Sequence, residues 1–352
     1  MKQIKELIYK IDENKKVYKT ENSLVVQLEN SHNGISTSWH NGGYQSEFYN
    51  VINQTLAEDD FEKLINISYE DFIKREIQKH NLDVNTSTML ITTACMDNYS
   101  IVTKKYEDLE VTAIVTAGAD KNAVQAGDPS TFYEKNNNYK LTSGTINIII
   151  LINAKLSPGT LQVAGITTTE AKTKVLRDLK IQSNFSKGLA TGTGTDGICI
   201  LSDNTSENKL ENAGKHSKLG ELIAKTTIEA TIKALSNETN QSIEYQKTVL
   251  SRLERFNITF DTFYKKTKDI TLLEFSEKFY YFNKDPVNIS WISSVLNLID
   301  ESNTKLMDIK TVCKVSQDII QLYCNKNSLK IETIDELLEY LIISIIKKVI
   351  EN

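Results

Sequence analysis

The chain has 352 residues, 40% of them hydrophobic and 25% charged, with a formal net charge of −5. That is enough chain to bury one large core or two ordinary ones, and the balance excludes a disordered polymer. The acidic surplus excludes a general affinity for nucleic acid or for an anionic membrane, so any anion needs a dedicated local site. The four cysteines (Cys95, Cys199, Cys313, Cys324) form no CxxC pair, and His32, His40, His80 and His216 are scattered. This spacing predicts no metal site and no disulfide framework, and with them a cytoplasmic protein. The N-terminal sequence lacks the unbroken apolar stretch of a signal peptide, and Tyr340–Ile346 is too short to cross a bilayer, so no membrane partner is expected.

In chain order, residues 1–22 are expected to be a helical lead-in. Residues 23–238 then mix β-branched runs with glycine-rich turns, the pattern of an α/β domain of mixed layers. Strands are predicted at Leu24–Leu28, Ile35–Trp39, Thr88–Ala94, Val111–Thr116, Thr145–Ile152 and Gly197–Leu201. Helices are predicted near Gln45–Leu56, Tyr69–His80, Pro158–Leu179 and Ser217–Leu235. In the third helix Leu161, Ala164, Thr168, Ala171, Val175 and Leu179 make one stripe, with Ser157-Pro158 as cap and first-turn proline. An alternative start at Thr167 would use Glu170 to close a capping box. All glycines fall at or before Gly220, and the sequence beyond it holds a single proline, Pro286. Residues 239–352 therefore read as an all-helical C-terminal module. Asp285-Pro286 opens one of its helices, and Ile334, Leu338, Leu341, Ile345 and Val349 stripe the last. The short run Asn136-Asn137-Asn138 reads as a loop.

Five polar clusters lie where strands end or helices begin, the positions that face the ligand crevice in α/β folds. The first runs Ser36 to Tyr44, with Ser38, Asn41, Gly42 and Gly43, followed by Asn50; it is also compatible with an ordinary tight turn. Thr116-Ala-Gly118 with Asn122, Gly127 and Asp128 reads equally as turn chemistry. Gly144-Thr145-Ile146-Asn147 opens an apolar strand and puts Thr145 and Asn147 on one face. Thr191-Gly192-Thr193-Gly194-Thr195-Asp196 has the look of a phosphate loop, but no Walker lysine follows and a strand succeeds it, so a nucleotide-binding reading fails. What remains is a run of amides, hydroxyls and one carboxylate suited to an oxyanion or amide. Gly214-Lys215-His216-Ser217 leads into a helix, where positive potential favours neutral imidazole, the form a general base needs; His216 could equally serve as part of the cap.

Taken in this order, the clusters resemble the adenosylcobinamide amidohydrolase family. The resemblance rests on Ser36–Gly43 with Asn50, Thr116-Ala-Gly118 with Asn122 and Gly127-Asp128, and Gly144-Thr-Ile-Asn147. It continues through Thr169-Glu-Ala-Lys172, Thr191–Asp196 and Gly214-Lys-His-Ser217 with Gly220, and spans about Ser23 to Leu235. It implies hydrolysis of the amide joining the aminopropanol arm to the corrin ring, giving adenosylcobyric acid and 1-aminopropan-2-ol in cobamide salvage. The corrinoid would be substrate, with no cofactor. Trp39 and His40 depart from the pattern, and the helical tail lies outside it; assembly into a homo-oligomer is left open.

Amide hydrolysis needs an activated nucleophile, oxyanion stabilisation and a proton for the leaving amine. His216 is the expected general base or acid, with Glu170 and Asp196 orienting it or activating water. The amides of Thr193 to Thr195 are expected to hold the oxyanion. Glu170 can also merely cap a helix, and Lys172 can merely pair with a carboxylate. Direct attack by water is expected, with a covalent route through Thr145, Thr193 or Ser38 as the alternative. Two rival functions remain: another amidase or acyl transferase acting on a bulky amide, and a corrinoid-binding protein without catalysis.

Overall fold

The computed structural model describes residues 5–57, 60, 64, 67–133, 144–268, 270–324 and 330–351; the expected Asn136-Asn137-Asn138 loop lies outside them. The chain divides into two compact units, Met1–Ser242 and Ile243–Asn352.

The first unit is built on one mixed sheet of nine strands among the described residues. Its path is β1 (Glu6–Lys10), β2 (Lys15–Lys19), β3 (Ser23–Ser36), β12 (Gly197–Asp203), β9 (Ile146–Ile152), β7 (Leu109–Ala117) and β6 (Ser100–Tyr106). On the other side of β3, β4 (Gly43–Thr55) pairs antiparallel with it and carries β5 (Ser87–Thr92) in parallel. Short pairs complete the unit: β8 (Ala123–Val124) with β11 (Gly192–Thr193), and β10 (Lys155–Leu156) with β13 (Lys209–Leu210).

The seven residues of β9, INIIILI, are all buried because the strand is covered on both faces. Ile146, Ile148, Ile150 and Ile152 face a core shared with two long helices, α2 (Pro158–Asp178) and α3 (Lys218–Thr239). Ile149 and Leu151 face the opposite core, formed with Val26, Phe48, Val51, Cys199 and Leu201 as the sheet curls into a half-barrel. A third cluster packs α1 (Tyr69–Lys79) on Val25, Ile52 and Met89. The helix starts are as the caps predict. Ser157 accepts the Thr160 amide with Pro158 in the first turn, and Ser217 accepts that of Gly220. Thr167, the alternative start, lies inside α2, where its hydroxyl donates to the Ala213 carbonyl at 2.9 Å.

Three expectations are corrected. The N-terminal lead-in is the antiparallel hairpin β1–β2 rather than a helix, with Val17 pointing into the half-barrel core. Residues Gln45–Leu56 fall on β4 and the residue beyond it. Phe48, Val51, Ile52 and Leu56 recur at helical steps because β4 is buried on both faces from Asn50 to Gln54 and there loses its alternation. The predicted strand Ile35–Trp39 ends at Ser36, where the chain bends through Thr37 to Gly42.

The second unit is helical: α4 (Val249–Leu253), α5 (Phe260–Tyr264), α6 (Leu272–Lys284), α7 (Pro286–Asn303), α8 (Ile309–Tyr323) and α9 (Ile334–Glu351). Its core joins Phe263, Phe275, Phe279 and Phe282 to Leu338, Leu341, Ile345 and Val349 of α9, the expected stripe, with Ile334 partly buried beside it. Asp285 caps α7 through the Val287 amide, and Arg255 holds Asp300 of α7 with both guanidinium nitrogens, at 2.6 and 2.7 Å.

His80, at the C-terminus of α1, is buried; its Nδ1 has no hydrogen-bond partner among the described residues, and its Nε2 lies 3.2 Å from the Ser23 hydroxyl. Burial, aided by Lys5 and Lys79, pushes its pKa down to about 4. Burial also lowers His32, whose Nε2 faces Asp203 at 3.9 Å. Both imidazoles are held neutral in the folded chain, so the unfolded chain binds their protons first. Stability is therefore full above an ordinary histidine pKa of about 6.5 and falls as pH drops towards 4, with His80 alone contributing on the order of 3 kcal/mol. Urea titrations at pH 7 and pH 4.5 are expected to show this loss, and a His80→Gln variant should flatten the dependence. An unchanged slope in that variant would contradict the assignment.

Candidate active site

Where α2 crosses the end of β3 and the start of β12, a cavity of about 420 Å³ opens. Its floor is apolar: Ile35 of β3, Ile198 of β12, and Gly165 and Ile166 of α2. A Cβ on Gly165 would sit 3.2 Å from the Ile35 side chain, so glycine is what lets α2 approach the sheet here. The rim is polar, formed by Ser36, Thr37, Gln162, Thr169 and Glu170. Thr37 is pinned to Ile198 twice. Its amide donates to the Ile198 carbonyl at 2.9 Å, and its hydroxyl oxygen accepts the Ile198 amide at 3.0 Å. That leaves the Thr37 O–H able to donate. An apolar pocket of this size with few convergent polar groups is the usual form of a small-molecule site. The Cys199 thiol, next to Ile198 in the strand, is fully buried and pushed up to about 12, so it stays protonated.

Glu170 is the carboxylate of the rim. It forms an ion pair with Lys215, in the turn Gly214–Ser217 that precedes α3. The Thr167–Ala213 hydrogen bond ties the same segment to α2. His216 follows Lys215 in that turn; it is exposed and makes no hydrogen bond or ion pair among the described residues. Of the three, Glu170 stands on the rim, Lys215 is paired to it, and His216 is the next residue along the turn.

Asp196 is engaged elsewhere. Its carboxylate accepts the Thr193 hydroxyl at 2.6 Å, the Thr193 amide at 3.1 Å and the Ile146 amide at 3.3 Å, and it pairs with Lys172. Lys172 and Glu170 are two positions apart, about 200° around the helix, so one meets the interior and the other the rim. Gly192 is packed against this pair, where a Cβ would overlap both the Asp196 carboxylate and the Lys172 ammonium. Asp196 therefore clamps the loop from Thr191 to Asp196.

That clamp corrects the oxyanion expectation. The Thr193 amide is taken by Asp196, that of Gly194 by the Asn122 carbonyl at 3.2 Å, and that of Thr195 by the Thr193 hydroxyl at 3.4 Å. The Thr191 amide goes to Val124 at 3.0 Å, and its hydroxyl accepts the Ala126 amide. The loop looks like a free cradle in sequence because its acceptors lie on distant segments.

The remaining polar residues form two internal knots. In one, Asn122 donates to the Gly144 carbonyl at 2.9 Å and to Thr195, which also meets Thr145, while Asp128 accepts Ser183 and the Gln125 amide. Asn147 donates to Asn53 and the Ile91 carbonyl, and its buried Oδ1 has no hydrogen-bond partner among the described residues. In the other, the Ser38 hydroxyl donates to the Met89 carbonyl, Asn41 to the Val84, Asn85 and Ser87 carbonyls, and Asn50 to the Ser87 hydroxyl. Gly42 is required because a Cβ there would overlap the Ser38 carbonyl oxygen, and Gly43 has a φ of +70°. With Ser38 and His40 both buried, Trp39 is turned outward, 58% exposed and stacked on Tyr69 at 4.2 Å.

The residues missed in sequence are the cavity's own Ile35, Gln162, Gly165, Ile166 and Ile198, while Thr37 lies inside the first cluster without being singled out there. A glycine at the centre of a long helix was the one signal, since it marks a close approach. Among the described residues no group of three His, Cys, Asp or Glu side chains could hold a metal ion, and no helix is long and apolar enough to cross a membrane.

Comparison with known proteins gives four findings. The family model described as adenosylcobinamide amidohydrolase matches residues 8–243, leaving the helical unit outside it. A protein of Methanocaldococcus jannaschii without an assigned function is 33% identical over 225 residues, 60% of this chain and 85% of its own length. An adenosylcobinamide amidohydrolase of Methanosarcina mazei is 29% identical over 169 residues, 46% of this chain and 72% of its own. Among solved structures, a protein of Pyrococcus horikoshii superposes with a TM-score of 0.32 at 11% identity, covering 65% of this chain and 82% of that one.

Proposed function

Because the chain belongs to the adenosylcobinamide amidohydrolase family, we propose that it hydrolyses the amide joining the aminopropanol arm of adenosylcobinamide to the corrin ring. Its products are adenosylcobyric acid and 1-aminopropan-2-ol, a salvage reaction of the cytoplasm. The observation that supports this reading is the Glu170–Lys215 ion pair at the rim of an apolar cavity, with His216 following Lys215 in the same turn. The cavity takes the amide-bearing arm, while the corrin body rests outside it.

In this mechanism Glu170 takes a proton from water, and the water oxygen adds to the amide carbon. The Lys215 ammonium and the Thr37 hydroxyl, not the loop amides, face the developing oxyanion. Protonated His216 delivers a proton to the departing nitrogen as the C–N bond breaks, and the proton taken up by Glu170 returns through solvent to the imidazole as carboxylate and amine are released. Asp196 is a positioning residue: it fixes the loop at Thr193 and holds the Lys172 face of α2, and so the register of Glu170 on the other face. The corrinoid is substrate and no cofactor is used.

Incubation with adenosylcobinamide, followed by chromatographic assay of 1-aminopropan-2-ol and adenosylcobyric acid, is expected to show both in equal amounts. Tight binding of the corrinoid with no release of the amine would replace this reading with a binding protein. Neither binding nor release, in a protein shown to be folded, would reject it.

A further inference from the structure

We propose that Tyr44 determines specificity by holding a planar ring of the substrate against the outer side of the cavity; this deepens the amidohydrolase reading above and rests on it. Tyr44 pairs directly with Ile35 across the antiparallel β3–β4 ladder, in a stretch where Gly34–Gln45, Ile35–Tyr44 and Ser36–Gly43 follow without a bulge. Side chains directly opposite one another in such a ladder project from the same face as neighbours, about 5 Å apart at Cβ. Ile35 forms the cavity floor and packs on the core beneath α2, so the Tyr44 ring stands on the cavity's face of the sheet, beside that floor.

It stands there uncovered. Tyr44 is 42% exposed, and its hydroxyl makes no hydrogen bond among the described residues. The partner β5 joins β4 only from Asn50 onward, so the stretch around Tyr44 has β3 on one side alone. Its backbone is nevertheless fixed: Gly43 turns into the strand at positive φ, and Gln45 donates to the Gly42 carbonyl at 3.3 Å. A large aromatic ring on a fixed strand, next to an apolar cavity and open to solvent, is a prepared surface for a flat conjugated ligand. Two parts of adenosylcobinamide have that chemistry, the corrin macrocycle and the adenine of the upper ligand, and both must lie outside a cavity of about 420 Å³ that receives the arm.

The test compares the whole protein with Tyr44→Phe and Tyr44→Thr, the latter keeping a strand-forming residue while removing the ring. KM and kcat are measured for adenosylcobinamide and for cobinamide lacking the adenosyl group, and corrinoid binding is followed by Trp39 fluorescence in a Trp291→Phe background. Tyr44→Thr is expected to raise KM about tenfold with kcat within twofold, and Tyr44→Phe to restore the wild-type value. A rise for both substrates assigns the ring to the corrin, and a rise for the adenosylated one alone assigns it to adenine. An unchanged KM in Tyr44→Thr, with active wild type, overturns the inference and leaves the amidohydrolase reading standing. A Tyr44→Phe as impaired as Tyr44→Thr likewise overturns it, because the ring would not be the contact. Wild-type protein that neither binds nor cleaves either corrinoid overturns the underlying reading and this inference with it.

Discussion

Replacing His216 with alanine is expected to lower amide hydrolysis about 10²–10⁴-fold, the usual contribution of a positioned acid or base, while corrinoid binding survives. The reason is local. His216 sits in the turn whose Lys215 pairs with Glu170 on the cavity rim, and its exposed imidazole makes no contact that the fold needs among the described residues. Its loss should therefore spare thermal stability and KM while reducing kcat. Glu170→Gln should fall alongside it, and the double variant should lose little more than either single one, as expected of groups acting on one transition state. Turnover within a few-fold of wild type in His216→Ala would remove the imidazole from the mechanism.

The second large effect concerns stability. Lys172 and Asp196 have side chains only 6% and 14% exposed, and each is the other's ion-pair partner. Asp196→Ala leaves the Lys172 ammonium buried without a counter-charge and unfastens the Thr193 amide and hydroxyl together. Breaking a buried pair from one side costs about 3–5 kcal/mol, which in a unit of this size lowers the melting temperature by roughly 10 °C. Lys172→Met combined with Asp196→Ala should be less destabilising than the sum of the single changes, since no charge is then stranded. Additive losses would show that the two side chains do not act as a pair. Because Gly192 packs on the same two groups, Gly192→Ala should be destabilising in the same melting assay.

Much of the fold is legible before folding is considered. Ser157-Pro158 and Ser217 mark the starts of the two long helices because a cap is a local event, complete within four residues. The isoleucine run of β9 announces a strand covered on both faces. The same double burial hides β4. Asn50, Asn53 and Gln54 look like the polar side of a helix, but their side chains reach Ser87, Thr116 and Ser23 inside the sheet. Only the tertiary pairing supplies those partners.

The site divides in the same way. Lys215 and His216 are visible as chemistry-bearing residues before a helix start and Glu170 as one within a helix, and the fold brings their segments together. The floor made by Ile35, Gly165, Ile166 and Ile198 is indistinguishable in sequence from ordinary core, because it becomes a cavity only where α2 crosses the ends of two strands. Conversely, Thr191–Asp196 is conspicuous in sequence and closed in the structure, since Asn122, Val124 and Asp196 engage the amides that the glycines leave accessible. A glycine-rich loop reports backbone freedom; whether its amides are free for a ligand depends on acceptors that the loop itself does not encode.

The central claim is that the scissile amide is cleaved in the cavity beneath α2, between the Glu170 carboxylate and the His216 imidazole. A crystal structure of the Glu170→Gln variant soaked with adenosylcobinamide tests it most directly. The account predicts the aminopropanol arm entering over Ile35 and Ile198, with its amide carbonyl within hydrogen-bonding reach of Thr37 or Lys215. An arm lodged away from α2, with the corrinoid seated on another surface, would contradict it.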